Sequence, residues 1–293
     1  MSYRLPLALP VFLALAACGG PGREASRVAQ EPPPPAVSTA VAAMYSARQD
    51  GDRTIPAVPT KYLSDGNKRE EVDYWTSQPA GTVIVDPGDF HLYYVLGHDR
   101  AIRYSVSVGK QGYGFSGDAT IPYKRAWPRW TPTPSMLKRD PKLYDPWRNG
   151  MPGGLENPLG ARALYLFRNG KDTLYRIHGT PYPWTIGKAT TDGCIRLYDQ
   201  DIADLYGRIR SGAKVIVRPP EDTGKGTYPP GTPATPEVMA ARVKAMAFAA
   251  GGAPDAAGEG TGGKAGEGQG IGTSGTGTTA TTGPTVSRAA AQG

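Results

Sequence analysis

The 293-residue chain has few of the side chains that form disulfides or bind metals. It contains two cysteines and three histidines. Cys18 directly follows an expected leader and, if it is acylated, cannot pair with Cys194, so we expect no disulfide in the mature chain. His91, His98 and His178 show no metal-ligand spacing. We therefore expect no zinc site and no cofactor.

The chain also lacks an apolar run long enough to span a bilayer near its start. Residues 5–17 are apolar apart from their prolines, follow Arg4, and are too few to cross a membrane. Residues 1–17 are predicted to be a signal peptide. Its end, Leu15-Ala16-Ala17-Cys18-Gly19, resembles a bacterial lipobox. That resemblance implies lipidation of Cys18 and a periplasmic protein anchored to an envelope membrane, expected to be the outer membrane because no acidic residue follows. An ordinary secretory signal with a chance cysteine is the alternative.

The positive net charge of the chain is not accompanied by a nucleic-acid-binding motif. The formal charge is +7 and the pI near 9.3, but no alternation of aromatic and basic residues accompanies them. We expect no nucleic-acid partner. A basic surface suits anionic envelope polymers, although it serves solubility equally well.

Glycine and proline are abundant, with 39 and 29 residues, so part of the chain is not a packed core. Residues 18–60 are predicted to be a disordered, Pro-rich tether, and residues 61–220 a single folded domain. Residues 221–293 read as a low-complexity tail with a possible short helix at 237–250.

Within residues 61–220 the apolar pattern is mostly that of strands. Residues 82–85, 92–96 and 101–108 alternate with period two, and residues 200–209 have the spacing of one amphipathic helix, with Asp199 as its predicted cap. Residues 121–154 hold seven prolines, which argue against a regular helix there. The three tryptophans of this loop either face a substrate or pack beneath the loop. A mainly β fold follows.

The segment around the two rarest side chains carries the chemistry. Residues 175–197 read YRIHGTPYPWTIGKATTDGCIRL, with His178 at a predicted strand end and Cys194 in a glycine turn. A loop that returns can bring imidazole to thiol, and an imidazolium lowers a thiol pKa by about two units or more. The backbone N–H groups of Gly193 and Cys194 would then face an oxyanion. A buried structural cysteine and a structural histidine are the alternative.

The segment resembles the signature of the L,D-transpeptidase (YkuD-type) catalytic domain, which is His-Gly, a loop, then Ser/Thr-x-Gly-Cys-Ile/Val-Arg. The matching residues are His178-Gly179 and Thr191-Asp192-Gly193-Cys194-Ile195-Arg196, and the likeness extends over residues 71–218. The resemblance implies a β-sandwich of mixed sheets with one short helix after the motif, a long Pro/Trp-rich loop, and disordered terminal segments.

The resemblance also implies a reaction on peptidoglycan stem peptides. Cys194 would attack the carbonyl before the terminal D-alanine, His178 would act as the base, and the Gly179 carbonyl would orient His178. An amine would then open the thioester, forming a cross-link or attaching a client protein to the wall. Opening by water would make a carboxypeptidase, and a non-catalytic wall-binding lipoprotein is the rival from another class.

Beside this pair, five residues are expected to contact the substrate, and they are Arg196, Thr191, Asp192, Trp184 and Tyr113. Arg196 either binds a substrate carboxylate or steadies the turn. Asp192 departs from the histidine or serine of many relatives, and its charge should oppose thiolate formation unless Arg196 or His178 neutralises it.

Overall fold

Strands dominate the part of the chain that the structure, a computed structural model, describes, which is residues 37–110 and 114–250. The strands are β1 (Arg48–Asp50), β2 (Arg53–Ile55), β3 (Glu70–Asp73), β4 (Val83–Asp86), β5 (His91–Gly97), β6 (Arg100–Ser105), β7 (Val108–Gly109), β8 (Gly117–Ile121), β9 (Lys124–Ala126), β10 (Arg162–Arg168), β11 (Lys171–His178), β12 (Ala189–Thr191), β13 (Ile195–Arg196) and β14 (Ala213–Val217). The helices are α1 (Thr39–Met44), α2 (Pro134–Arg139), α3 (Pro141–Tyr144), α4 (Asp199–Arg208) and α5 (Pro236–Ala249).

Ten of these strands form one mixed sheet. Its order is β13-β11-β10-β8-β14-β4-β5-β6-β3, with β9 added to β10. The β4–β14 and β11–β13 pairs are parallel, and the other pairs are antiparallel. A bridge between Ser107 and Arg196 joins the segment after β6 to β13, so distant parts of the sheet meet around one core. The prediction of a mainly β fold with mixed sheets is confirmed.

The alternation that predicted the strands also explains the core. Ile102, Tyr104 and Val106 are buried in the main cluster, as their period-two spacing requires. Ser105 and Ser107 on the other face are buried as well, and the Ser107 hydroxyl donates to the Lys188 carbonyl at 2.9 Å. The strand is therefore covered on both faces beside the loop that carries the predicted site.

The folded part begins earlier than predicted. Residues 37–60, assigned above to a disordered tether, contain α1, β1 and β2. Tyr45 is fully buried, donates its hydroxyl hydrogen to Asp201 Oδ2 at 3.0 Å and accepts from Arg69 N at 2.7 Å. Its ring meets Tyr198 edge-on at 5.2 Å. This segment is thus part of the domain, packed on the start of α4.

Prolines begin helices in the Pro/Trp-rich loop instead of excluding them. Pro134 and Pro141 stand at the first positions of α2 and α3, where the missing N–H costs nothing. Thr133 and Asp140 cap these helices through their side-chain oxygens. The expectation that the prolines exclude a helix here is wrong for these two short ones.

The two helices predicted after the motif are present. α4 confirms the helix at 200–209, and α5 confirms the one at 237–250. The predicted cap is wrong: Tyr198 is the capping residue and offers no side-chain bond, while Asp199 is directed elsewhere. Between residues 37 and 250, outside the gap at 111–113, we find no helix that could cross a membrane and no metal-binding cluster.

The leader with Cys18, Tyr113, and the tail beyond residue 250 lie outside the described residues.

Candidate active site

Two neighbouring strands place the predicted pair on one face. β11 and β13 run parallel, with His178 beside Arg196 and Ile177 beside Ile195. Ile177 and Ile195 are buried in the core. Because side chains alternate along a strand, His178 lies on the opposite face. Cys194 stands one residue before β13 and two before Arg196, so it shares the face of His178.

A hydroxyl holds the turn before the cysteine. Thr191 Oγ1 accepts a hydrogen bond from Gly193 N at 3.0 Å and donates one to Cys194 O at 2.6 Å. Gly193 has a φ of 111°, and a Cβ at this position would overlap the Tyr175 ring. Thr191 is 1% exposed and engaged within the turn, so the structure gives it a positioning role and no open contact for a substrate.

This turn changes the predicted oxyanion site. The Gly193 N–H is occupied by Thr191, so the assignment of Gly193 as an oxyanion donor is wrong. Over the described ranges, Cys194 N–H donates to no protein group. It is the backbone donor of the turn that is left to bind an oxyanion.

The histidine is held as a neutral base. His178 is 3% exposed, and its Nδ1 lies 2.6 Å from the Gly179 carbonyl oxygen. A carbonyl only accepts, so Nδ1 carries the proton and Nε2 has the lone pair. Burial and, after it, the charge of Arg196 lower the pKa of His178 to about 3, against the opposing effect of the carbonyls of Gly179 and Leu159. His178 is therefore neutral at pH 7.

The thiol is neutral as well. Cys194 is a free, partly exposed cysteine. Burial of its sulfur raises the pKa of the thiol, a backbone hydrogen bond and the charge from Arg176 lower it, Arg196 lowers it, and Asp192 raises it. Burial disfavours both ions, so this arrangement favours the neutral pair over a thiolate stabilised by an imidazolium.

Two arginines flank the pair and differ in their partners. The charges of Arg176 and Arg196 shift the pKa of both His178 and Cys194, which places all four groups in one site. Arg176 forms a two-point ion pair with Asp172, at 2.7 and 2.8 Å.

The other arginine has no counter-ion among the described residues. Across the residues that the structure covers, Arg196 pairs with no carboxylate, and its buried Nε makes no hydrogen bond. Burial lowers its pKa. A buried cation without a partner is costly, so Arg196 is suited to receive an anion.

The neutralising partner of Asp192 is one that sequence reasoning missed. Arg139 Nη2, at the end of α2, lies 2.5 Å from Asp192 Oδ2. Of the two candidates named from the sequence, Arg196 and His178, neither is the ion-pair partner of Asp192; Arg139 is. The pair links the Pro/Trp-rich loop to the residue two positions before Cys194.

A family model for the L,D-transpeptidase catalytic domain, YkuD, matches residues 80–217. This range contains His178, the Thr191–Arg196 signature and the strands that position them. The domain belongs to the YkuD family.

Several known proteins are similar to this L,D-transpeptidase domain. The probable L,D-transpeptidase YcfS of Escherichia coli is 32% identical over 147 residues, which is 47% of this chain and 44% of that protein. A solved structure from Brucella melitensis, described as a probable carnitine operon oxidoreductase, is 47% identical. It covers 54% of this chain and 98% of that one, with a TM-score of 0.38. An L,D-transpeptidase from Xylanimonas cellulosilytica is 16% identical, covers 50% of this chain and 63% of that one, and has a TM-score of 0.35. The chain spans less than half the length of the first curated relatives it matches.

An aromatic cluster lies in the loop between the two site residues of the L,D-transpeptidase domain. Trp184 is 48% exposed, and its ring centroid is 5.4 Å from that of Tyr182 and 6.0 Å from that of Tyr62. Tyr62 lies at the start of the predicted domain, in the short helical turn Thr60–Tyr62. The assignment of Trp184 to substrate binding stays a prediction.

Proposed function

We propose that this domain is a peptidoglycan L,D-transpeptidase that uses Cys194 as nucleophile and His178 as base. The observation that carries the proposal is the face shared by β11 and β13, where a free cysteine and a neutral histidine lie beside Arg176 and Arg196. The family of the domain supports the reaction class.

The first half-reaction begins from the neutral pair. As Cys194 Sγ attacks the stem carbonyl before the terminal D-alanine, its proton passes to Nε2 of His178. Cys194 N–H donates to the developing oxyanion. The carbon–nitrogen bond then breaks, and the imidazolium returns its proton to the leaving amine. The products are free D-alanine and a thioester on Cys194.

The second half-reaction reuses the same base. An acceptor amine attacks the thioester carbonyl, His178 takes the amine proton, and the sulfur leaves as the new amide bond forms. Return of that proton to sulfur restores the thiol. With water as the acceptor, the same steps give a carboxypeptidase.

Arg196 is proposed to bind a carboxylate of the donor stem. Its guanidinium is buried, lacks a counter-ion in the described ranges, and stands two residues from the nucleophile. A bidentate contact would satisfy the guanidinium and fix the stem beside Cys194. Arg176, already paired with Asp172, is less suited to this task.

The cellular setting is part of the same proposal. We propose that a lipid on Cys18 anchors the protein in the envelope, on the periplasmic side, with peptidoglycan stems as partners and a wall-attached client protein as a possible acceptor. The lipobox-like residues and the wall substrate support this placement.

The test uses the purified protein and disaccharide-tetrapeptide stems, with products identified by mass. Transpeptidation predicts released D-alanine and a cross-linked dimer, whereas hydrolysis alone yields the tripeptide and assigns a carboxypeptidase. Cys194→Ala is the control. A labelled carbapenem should acylate Cys194 of the wild type. Folded protein that yields neither product nor adduct would instead support a wall-binding module.

A further inference from the structure

The carboxylate of Asp199 lies in a cradle made by two glycines. Asp199 is the first residue of α4, and its Oδ1 accepts a hydrogen bond from Ala161 N at 2.8 Å. A Cβ on Gly160 or on Gly179 would overlap this same oxygen. The backbone at both positions thus approaches the carboxylate more closely than any side chain would permit.

One peptide unit connects this carboxylate to the histidine. The Thr180 N–H faces the carboxylate of Asp199 and lowers its pKa. It belongs to the same peptide as the Gly179 carbonyl, whose oxygen lies 2.6 Å from Nδ1 of His178. The peptide is trans, so its N–H and its C=O point in opposite directions. Asp199 therefore holds one end of the unit and His178 is bonded to the other.

We propose that Asp199 is a positioning residue for His178, acting through the Gly179–Thr180 peptide. This inference rests on the proposed role of His178 as a base. A hydrogen bond to the N–H fixes the rotation of the peptide, and it polarises the carbonyl into a better acceptor, by about 10–30% per bond. In an Asp-His pair the carboxylate orients the imidazole and fixes its tautomer by a direct hydrogen bond. Asp199 would do the same through one intervening peptide unit.

The carboxylate can change charge near neutral pH. Burial raises the pKa of Asp199 to about 7, and Asp50 of β1 raises it too. The N–H groups of Ala161 and Thr180 and the charge of Arg162 on β10 lower it. A protonated carboxyl is a weaker acceptor than a carboxylate. The bond from His178 Nδ1–H to Gly179 should therefore weaken as the pH falls through 7.

The test reads that proton directly. The chain has three histidines, so ¹⁵N-histidine labelling gives few signals, and His178→Asn assigns the one of interest. In the wild type we expect the Nδ1–H signal of His178 to show an inflection near pH 7. In Asp199→Asn the inflection should be absent and the signal upfield at every pH.

Asp201→Asn is the matched control. Burial also raises the pKa of Asp201 to about 7, but its carboxylate is bonded to Tyr45 and Arg69, away from the histidine peptide. This variant should keep the inflection. Persistence of the inflection in folded Asp199→Asn overturns the proposal, as does its loss in folded Asp201→Asn.

The kinetic readout separates this inference from the function on which it rests. In Asp199→Asn, kcat/KM on stems should fall about tenfold, and its decline near pH 7 should disappear. Protein that is inactive on stems but shows the inflection supports the positioning role and refutes the transpeptidase. Should Asp199→Asn fail to fold, a wild-type Nδ1–H signal at the position of an imidazole without a hydrogen bond would still overturn the proposal.

Discussion

The ring of Tyr175 occupies the space into which any side chain on Gly193 would project. Gly193 also has a φ of 111°, where an L-residue costs roughly 1–2 kcal/mol. We expect Gly193→Ala to move Cys194 and reduce its acylation by a labelled carbapenem about a hundredfold. Gly187→Ala is the matched control, because its φ is 79° with open space around it, and it should stay close to wild type. Wild-type acylation in Gly193→Ala would show that the turn does not position the sulfur.

The Arg139–Asp192 pair predicts opposite shifts in thiol reactivity. Asp192 raises the pKa of Cys194, so Asp192→Ser should lower it, and alkylation by iodoacetamide at pH 7 should be about threefold faster. Arg139→Ala leaves Asp192 without this partner and should slow alkylation. Because the pair is partly exposed, unfolding free energies should change by less than about 1 kcal/mol. A loss of transpeptidation beyond about a hundredfold in Asp192→Ser would instead show that the carboxylate takes part in the reaction.

Arg196 should separate stability from substrate use. Arg196→Met removes a partly buried cation that has no carboxylate partner among the described residues, so we expect equal or higher stability in urea. KM for stems should rise about 10- to 100-fold, because a charged hydrogen bond is worth about 1.5–3 kcal/mol. Arg176→Met is the comparison, because it removes the ion-pair partner of Asp172 and should lower the stability in urea. An unchanged KM in Arg196→Met would rule out carboxylate binding.

The pH dependence of thiol reactivity tests the neutral pair. Burial raises the pKa of Cys194 above its ordinary value, so the thiolate fraction, and with it alkylation, should still be rising at pH 9 without a plateau near neutrality. His178 is neutral there, so His178→Ala should change this profile by less than about threefold while abolishing transpeptidation. A thiolate plateau at pH 6–7 that disappears in His178→Ala would establish an ion pair instead.

The same shift sets a trend in stability. A thiol whose pKa is raised by folding stabilises the native state below its unfolded pKa, and this contribution is lost as the pH rises through the folded pKa. The alkaline loss of stability should therefore be smaller in Cys194→Ala than in the wild type. Urea unfolding at pH 8 and pH 10 measures the difference.

Local patterns predicted what local forces determine. Alternation identified the strand that contains Ile102 and Tyr104, and apolar spacing identified α4. The turn before Cys194 could also be predicted from the sequence, because a backbone position with positive φ favours glycine and Gly193 marks it.

The failures come from contacts between distant residues. Asp199 is a residue type that often caps helices, and it stands at the predicted cap position. Its carboxylate instead accepts a hydrogen bond from the N–H of Ala161, 38 residues earlier. Arg139 and Asp192 are 53 residues apart, and no spacing rule pairs them. The Gly193 N–H was predicted to bind an oxyanion, but it donates a hydrogen bond to the hydroxyl oxygen of Thr191.

Composition misled at the N-terminal side of the domain. Residues 37–60 hold few large apolar groups, so they resemble a linker, but Tyr45 and Ile55 among them are fully buried. Buried side chains such as these, with Tyr45 bonded to Asp201 of α4, hold the segment on the domain, and an average over the composition hides them.

That ordering limits how far a membrane-anchored domain can travel. Val37, the first described position, stands 19 positions after Cys18, whereas the predicted tether ended 42 positions after it. At about 3.5 Å per residue, even a taut chain spans only ~65 Å. If a lipid on Cys18 fixes one end, the domain can act only on peptidoglycan within about that distance of the membrane, and strands farther away cannot reach its active site.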